Sequence, residues 1–179
     1  MAITKIQSES LNLADTYAFT GTVTGAGDTN PLSHFSYWKA GNFNHSGSAS
    51  TLMTGFTQQH STTAVLGHSS GTFSFPSTGY YLITCNSNMY TYPGADARNV
   101  QIQIHTTSNN STYSSQNSGE AFIRDVGDAT HTSGCFTYMM DITDTTNQKF
   151  RIYAYSATTP ANTLSFTGTH LTVARVGDT

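Results

Sequence analysis

The chain has 179 residues, of which 36% are hydrophobic, 12% aromatic and only 9% charged, with a net charge of −3. This composition argues against disorder, and the length suits one domain or one domain with an arm. The absence of a Lys/Arg cluster argues against nucleic-acid binding, and no apolar run is long enough to insert into a membrane. The start of the chain also lacks the apolar core of a secretory signal peptide.

The first 30 residues are predicted to form an attachment arm ahead of one domain at residues 31–179. The arm is mostly Thr, Ser, Asn and Gly, but it has more apolar side chains than a linker. Buried apolar area stabilises contacts, so we expect the arm to pack on its own domain, a sister subunit or another protein. The predicted attachment residues are Ile3, Ile6, Leu11, Leu13, Tyr17 and Phe19.

The remaining chain predicts short strands separated by turns, with no helical period. In the first strand, residues 33–43, Phe35 and Tyr37 share one face and Trp38 takes the other. A short strand at Leu52–Gln58 follows.

The clearest unit in the sequence is Gly71–Asn86. Phe73 and Phe75 alternate with polar residues as in a strand with one buried face, and Pro76 ends that strand. Gly79 is free to take a positive φ in the turn that follows. An aromatic and β-branched strand then begins at Tyr80.

The second half of the chain continues the β pattern. Val100, Ile102 and Ile104 alternate with polar residues, and residues 107–118 are predicted to be a long polar loop. Further strands are predicted at 121–124, 135–142, 150–155 and 164–176, the last with a bulge at Gly168. The expected fold is an all-β antiparallel sandwich or jelly roll of about ten strands.

Two segments carry a resemblance to a known family. The pattern Gly71-x-Phe73-x-Phe75-Pro76-x-x-Gly79-x-Tyr81 resembles the core signature of the globular head of complement component one-q, which shares its jelly roll with tumour necrosis factor. Residues 164–171 are similar to the last-strand signature of that family. The resemblance spans residues 33–176 and implies a tight homotrimer with aromatic side chains around the threefold axis. The candidate interface residues are Tyr80, Tyr90, Tyr138, Tyr153, Tyr155 and His170.

The leader before the domain resembles those of structural proteins of marine bacteriophages. Together the two resemblances imply a virion protein, assembled in the cytoplasm of the bacterial host. The leading hypothesis is a trimeric capsid decoration or cement protein whose arm binds the major capsid protein or another virion protein. The alternative is a tail fibre or receptor-binding tip that recognises host glycan through the polar loop. Its candidate residues are Asn109, Asn110, Tyr113 and Gln116.

Neither catalysis nor a cofactor is predicted. The seven histidines form no metal-binding motif, and the ten acidic residues make no convincing catalytic pair. Asp125 and Asp128 favour a turn over a calcium site, and Asp141 and Asp144 are expected to cap another turn. Cys85 and Cys135 lie in predicted strands, and the sequence leaves open whether they are bonded.

Overall fold

The computed structural model describes residues 35–62, 66–91, 96–124, 126–158 and 163–179. These ranges contain strands and turns and no helix. The strands in the described part are β1 Phe35–Ala40, β2 Phe43–His45, β3 Thr51–Leu52, β4 Phe56–Ser61, β5 Gly67–Ser69, β6 Thr72–Ser74, β7 Gly79–Thr91, β8 Ala97–Thr107, β9 Ser114–Ile123, β10 Thr130–Ile142, β11 Lys149–Ser156 and β12 Leu164–Gly177. The six predicted attachment residues lie outside the described ranges, so the arm and its boundary stay predictions.

The strands form two antiparallel sheets around one core. Sheet A has the order β10-β7-β12-β1-β4, with β2 beside β12. Sheet B has the order β5-β6-β11-β8-β9, with β3 beside β11. Most successive strands therefore lie in different sheets, and the predicted all-β jelly roll is confirmed. The described part has twelve strands rather than about ten, partly because the predicted strands at 33–43 and Leu52–Gln58 are each broken in two.

The core lies between the sheets and is built by alternating side chains. In β7 the side chains of Tyr81, Ile83 and Met89 face inward and are at most 1% exposed. From sheet B, Phe73 and Phe150 stack with their ring centroids 4.8 Å apart. Aromatic pairs of this kind stabilise a core beyond the area they bury.

The predicted strand–turn–strand unit around Pro76 is confirmed. Phe73 and Phe75 are both buried, and β6 ends one residue before Phe75. Gly79 has a φ of +138° and begins β7. The Tyr81 hydroxyl donates to the Ser77 carbonyl oxygen at 3.0 Å, which ties the long strand back to the turn.

Gly168 produces the predicted bulge in β12. Its φ is +55°, and the pairing of β12 with β7 shifts register between Thr167 and His170. The buried Ser87 and Thr169 hydroxyls hydrogen-bond each other at 2.7 Å beside this shift. The bulge thereby leaves both of these buried polar groups paired.

One edge of the sandwich is a seam between β9 of sheet B and β10 of sheet A. A Cβ on Gly119 would overlap the backbone of Cys135, whose carbonyl carbon would be 2.6 Å away. A Cβ on Gly134 would lie 2.9 Å from the Gly119 carbonyl oxygen. Farther along, the Asn117 amide donates to the Thr137 carbonyl oxygen at 3.0 Å. Glycines thus allow the edge strands of the two sheets to cover each other.

The prediction of a loop over residues 107–118 is wrong for the C-terminal part of that range. Strand β9 begins at Ser114 and absorbs the short strand predicted at 121–124. Its first residues pair with β8, where Ser114 lies opposite Thr106. The polar composition of this segment does not prevent a strand, because its side chains are exposed to solvent while its backbone pairs with β8.

The two cysteines lie on opposite faces of sheet A and are both free. Cys85 is fully buried, and burial raises the pKa of its thiol. Cys135 is exposed and lies opposite Asn86 in the neighbouring strand. Side chains alternate along a strand, so these two thiols point away from each other.

Buried histidines make folding stability sensitive to acid, and His45 and His68 are the two that pack against the core. His45 is 1% exposed and its Nε2 has no hydrogen-bond partner, and His68 packs among Trp38, Phe56 and Phe73. Burial lowers the pKa of both from the ordinary value of 6.5. The unfolded chain therefore takes up protons near pH 6.5 while the folded chain does not, so stability is complete above that pH and falls below it.

We expect the free energy of unfolding, measured by urea denaturation, to fall between pH 7.5 and pH 5.5, by at most about 1.4 kcal/mol per pH unit for each histidine, and the urea midpoint to fall with it. His68→Phe keeps an aromatic ring in the cluster and should flatten this dependence. A wild-type midpoint that does not change across this range would contradict the prediction.

Candidate functional site

The outward face of sheet A carries an apolar row that crosses four strands. The register places Met139 opposite Leu82, Leu82 opposite Ala174, and Ala174 opposite Phe35. Met139 is 55% exposed, and the other three are half-buried. With strands about 4.8 Å apart, the row is roughly 14 Å long. We call this outward surface of sheet A the assembly face.

Polar but mostly uncharged side chains surround the apolar row. The next row contains Thr137, Thr84 and Thr172, and the first two join their hydroxyls at 3.3 Å. Lys39 and Asp141 carry formal charges in the register of this face. Two copies of such a face meet with little charge desolvation, which favours association.

The structure divides the six predicted interface residues into three groups. Tyr80, Tyr90 and His170 lie on the assembly face, where the Tyr90 ring stacks on His131 and the His170 ring on Tyr37. The ring centroids are 5.1 Å apart in the first pair and 5.6 Å in the second. These three residues remain interface candidates.

The other three predicted residues lie elsewhere. Tyr138 is on the inward side of β10 and packs against the core. Tyr153 and Tyr155 are on β11, which belongs to sheet B. One flat assembly face therefore does not contain all six.

Leu82 and Met139 are not among the interface residues predicted from the sequence. A signal was present, because Leu82 is two residues from Tyr80 and shares its face in any strand. Met139 had no such signal, since its place opposite Leu82 depends on the pairing of β7 with β10.

The outward face of sheet B differs because its polar groups satisfy one another. Gln103 donates to Gln101, and Gln101 donates to Glu120 at 2.9 Å. The His105 ring stacks on Tyr153 with centroids 4.1 Å apart, and burial lowers the pKa of His105. This closed network leaves fewer unsatisfied groups for a partner than the assembly face does.

The candidate glycan loop is organised by Asn109. Its Oδ1 accepts hydrogen bonds from the backbone N–H groups of Ser111 and Thr112 and from the hydroxyl of Thr107. Asn110 takes a positive φ of 56°, and its N–H donates to the Asn147 carbonyl oxygen. Asn109 therefore shapes the loop, with its side-chain oxygen already occupied.

The two remaining loop candidates differ in their surroundings. The Tyr113 ring lies under the Arg151 guanidinium, whose central carbon is 3.8 Å from the ring centroid, and this cation–π contact occupies one ring face. Gln116 lines a polar cleft between the start of β9 and the end of β10.

This polar cleft has a volume of about 280 Å³. Its lining comes from the end of β8, the start of β9, the end of β10 and Gln148. The Gln148 amide donates to the Asp141 carbonyl oxygen, while its own oxygen accepts the N–H groups of Thr143 and Asp144. One wall of the cleft is therefore held in place by a hydrogen-bonded turn.

The acidic residues of the turns have separate roles. Asp144 caps its turn as predicted, because Oδ1 accepts the N–H groups of Thr146 and Asn147, and hydrogen bonds, chiefly from the Asn147 side chain, lower its pKa. Asp141 instead ends β10, and the structure gives its carboxylate no hydrogen-bond or ion-pair partner among the described residues. Asp128 accepts the N–H of Ala129, and Asp125 lies outside the described residues.

Two other kinds of site are absent from the described ranges. Three or more His, Cys, Asp or Glu side chains nowhere come together there as a group able to hold a metal. The same part of the chain contains no helix with the length and hydropathy needed to cross a bilayer.

The two sheets and their connections define a jelly roll of the kind found in tumour necrosis factor and complement C1q domains. Murine APRIL superposes with a TM-score of 0.58 at 10% identity, covering 79% of this chain and 98% of that one. The globular domain of zebrafish complement 1qA gives a TM-score of 0.52 at 10% identity and covers 80% and 98%. The PRD1 vertex protein P5 gives 0.52 at 11% identity and covers 83% and 100%. No protein-family model and no curated protein matches the sequence.

Proposed function

We propose that this protein is a virion structural protein: a homotrimeric jelly roll that decorates or cements a capsid through its N-terminal arm. The observation that carries the proposal is the apolar row on the assembly face. Met139 is more than half exposed in the single chain, and Leu82 and Phe35 continue its apolar surface across the sheet. A second and third copy would remove this surface from water.

Self-association through sheet A is also favoured by charge. The assembly face has two formal charges, Lys39 and Asp141, at positions on different strands. Core regions of stable interfaces are depleted of charge in the same way. The outward face of sheet B carries more charge, from Lys149, Arg151 and Glu120, and these charges lie on the same face as the exposed Phe122.

The virion assignment is supported by the leader, which resembles that of phage structural proteins, and by a fold compatible with a vertex protein. The alternative, a tail fibre or receptor-binding tip, is separated from decoration by the copy number per particle. A structural role also fits a fold whose similar proteins include APRIL and complement 1qA, and no catalytic step is part of the proposal.

Deleting residues 2–19 tests this function directly. We expect the shortened protein to keep its trimer mass and to lose binding to capsids that lack the protein, because the apolar arm residues are gone. Binding is measured by co-sedimentation with capsids, and the copy number of the full chain by quantitative mass spectrometry of the particle.

The expected copy number is within a few-fold of the major capsid subunit. Unchanged capsid binding by the truncated trimer would refute the arm model. A few copies per particle would assign the protein to the tail, and its absence from particles would reject the virion role.

A further inference from the structure

We propose that the polar cleft between β9 and β10 binds a neutral saccharide unit. The cleft lies at the β10 edge of the assembly face, with which it shares Met139 and Asp141, and the proposal does not depend on the virion role. Of the four loop residues named from the sequence, Gln116 is the one that lines the cleft. The site thus uses a different set of side chains from the predicted glycan loop.

The cleft exists because the seam between the sheets closes at one end and opens at the other. Glycines bring β9 and β10 together near Cys135, and Asn117 still bridges to Thr137. Beyond that bridge the two strands separate, and the gap between Ser114 and Asp141 becomes the cleft. The opening therefore lies between two strands whose positions are fixed by the seam.

Several polar groups of the lining have no partner among the described residues. Within the described part of the chain, no hydrogen bond is made by the Tyr138 hydroxyl, the Asp141 carboxylate, or the hydroxyls of Thr106, Ser108 and Thr112. The Gln116 amide donates to the Ser114 hydroxyl at 2.9 Å, which leaves its oxygen free to accept. These groups together offer both donors and acceptors to one ligand.

The chemistry of the lining selects the ligand class. Asp141 is its single charged residue, and Lys or Arg is absent from the lining, so the cleft disfavours phosphate, sulfate and acidic sugars. A cation would need more oxygen ligands carrying charge than one carboxylate provides. Hydroxyl groups, a carboxylate acceptor and the ring of Tyr138 suit a neutral polyhydroxylated ligand.

The size of the cleft limits the ligand to one sugar ring. Its volume of about 280 Å³ is just below the usual range for ligand pockets, about 300–1,000 Å³. The cleft is also open to solvent at its rim, so one unit of a longer glycan can enter while the rest stays outside.

The methionine methyl groups allow binding to be measured at the site. Met140 lines the cleft, whereas Met53 and Met89 are fully buried in the core and serve as internal controls. The full chain, with ¹³C-labelled methionine methyls, is titrated with glucose, galactose, mannose and N-acetylglucosamine, and separately with sialic acid. We expect at least one neutral sugar to shift the Met140 signal with millimolar affinity, and sialic acid to leave it unchanged.

Two variants test the named groups. Asp141→Asn keeps the size of the side chain and should weaken sugar binding about tenfold, because a hydrogen bond to a charged acceptor is lost. Tyr138→Phe removes one hydroxyl and should weaken binding by a smaller factor. Asp128→Asn, at the opposite end of β10, is the matched control and should bind as the wild type does.

Three results would refute the proposal. The first is that no neutral sugar, at tens of millimolar, shifts the Met140 signal. The second is that the Met53 and Met140 signals shift equally, and the third is that Asp141→Asn binds sugar as tightly as the wild type. Stronger binding of sialic acid would reverse the inferred charge preference and also overturn it. Size-exclusion elution of each variant, compared with the wild type, shows that the fold and assembly are intact.

Discussion

Gly119→Ala should lower the stability of the protein by about 3 kcal/mol, at the upper end of the usual cost of overpacking. The added methyl group would overlap the backbone of Cys135, which cannot rotate away as a side chain can. The seam between β9 and β10 would have to open, which would also disturb the hydrogen bond from Asn117. With a urea m-value of about 2 kcal/mol/M, we expect the midpoint to fall by about 1.5 M at fixed protein concentration.

Two other glycine-to-alanine substitutions give reference values for the loss of stability expected at Gly119. The Cβ of Gly134→Ala would lie 2.7 Å from the flexible end of the Met89 side chain and 2.9 Å from a backbone oxygen, so its cost should be intermediate. Gly55→Ala meets no atom within 4 Å and should be close to neutral. Equal midpoints for Gly119→Ala and Gly55→Ala would mean that the seam is looser than described.

Leu82→Glu should convert the assembled protein into monomers. The side chain lies at the centre of the apolar row, where an added carboxylate would be desolvated on assembly without a partner. The monomer itself should remain folded, because Leu82 points away from the core. Sedimentation velocity should give three times the mass of one chain for the wild type and one chain mass for the variant.

Phe122→Glu is the matched control for this experiment. Phe122 is 71% exposed and lies on β9 of sheet B, so the same kind of change there should leave the mass unchanged. Near-ultraviolet circular dichroism of both variants checks that the fold survives. A monomeric wild type, or a Leu82→Glu protein with the wild-type mass, would refute assembly through sheet A.

The sequence predicts the local elements well because their signals are local. Proline at position 76 follows the end of a strand, Gly79 takes its positive φ where the turn ends and β7 begins, and the glycine at 168 marks the bulge. The alternation of Phe73 and Phe75 also identifies buried residues correctly. Each of these inferences uses residues only a few positions apart.

The sites are less predictable because they depend on which strands become neighbours. A period of two shows that Tyr153 and Tyr155 share a face, but not that this face belongs to sheet B. Likewise, the alternation of β10 cannot reveal that Met139 lies opposite Leu82. The cleft is harder still, since it exists only where β9 and β10 separate beyond the seam.

The position of β12 in sheet A has a consequence for the order of folding during synthesis. This strand, the last along the described chain, is hydrogen-bonded to both β1 and β7 at the middle of the sheet. One edge of β1 pairs with the nearby β4, but its other edge must wait for more than a hundred later residues to leave the ribosome before β12 exists. Folds dominated by such distant pairings form slowly, in about milliseconds to seconds, and expose unpaired strands meanwhile. A nascent chain of this protein should thus depend on chaperone protection until β12 emerges.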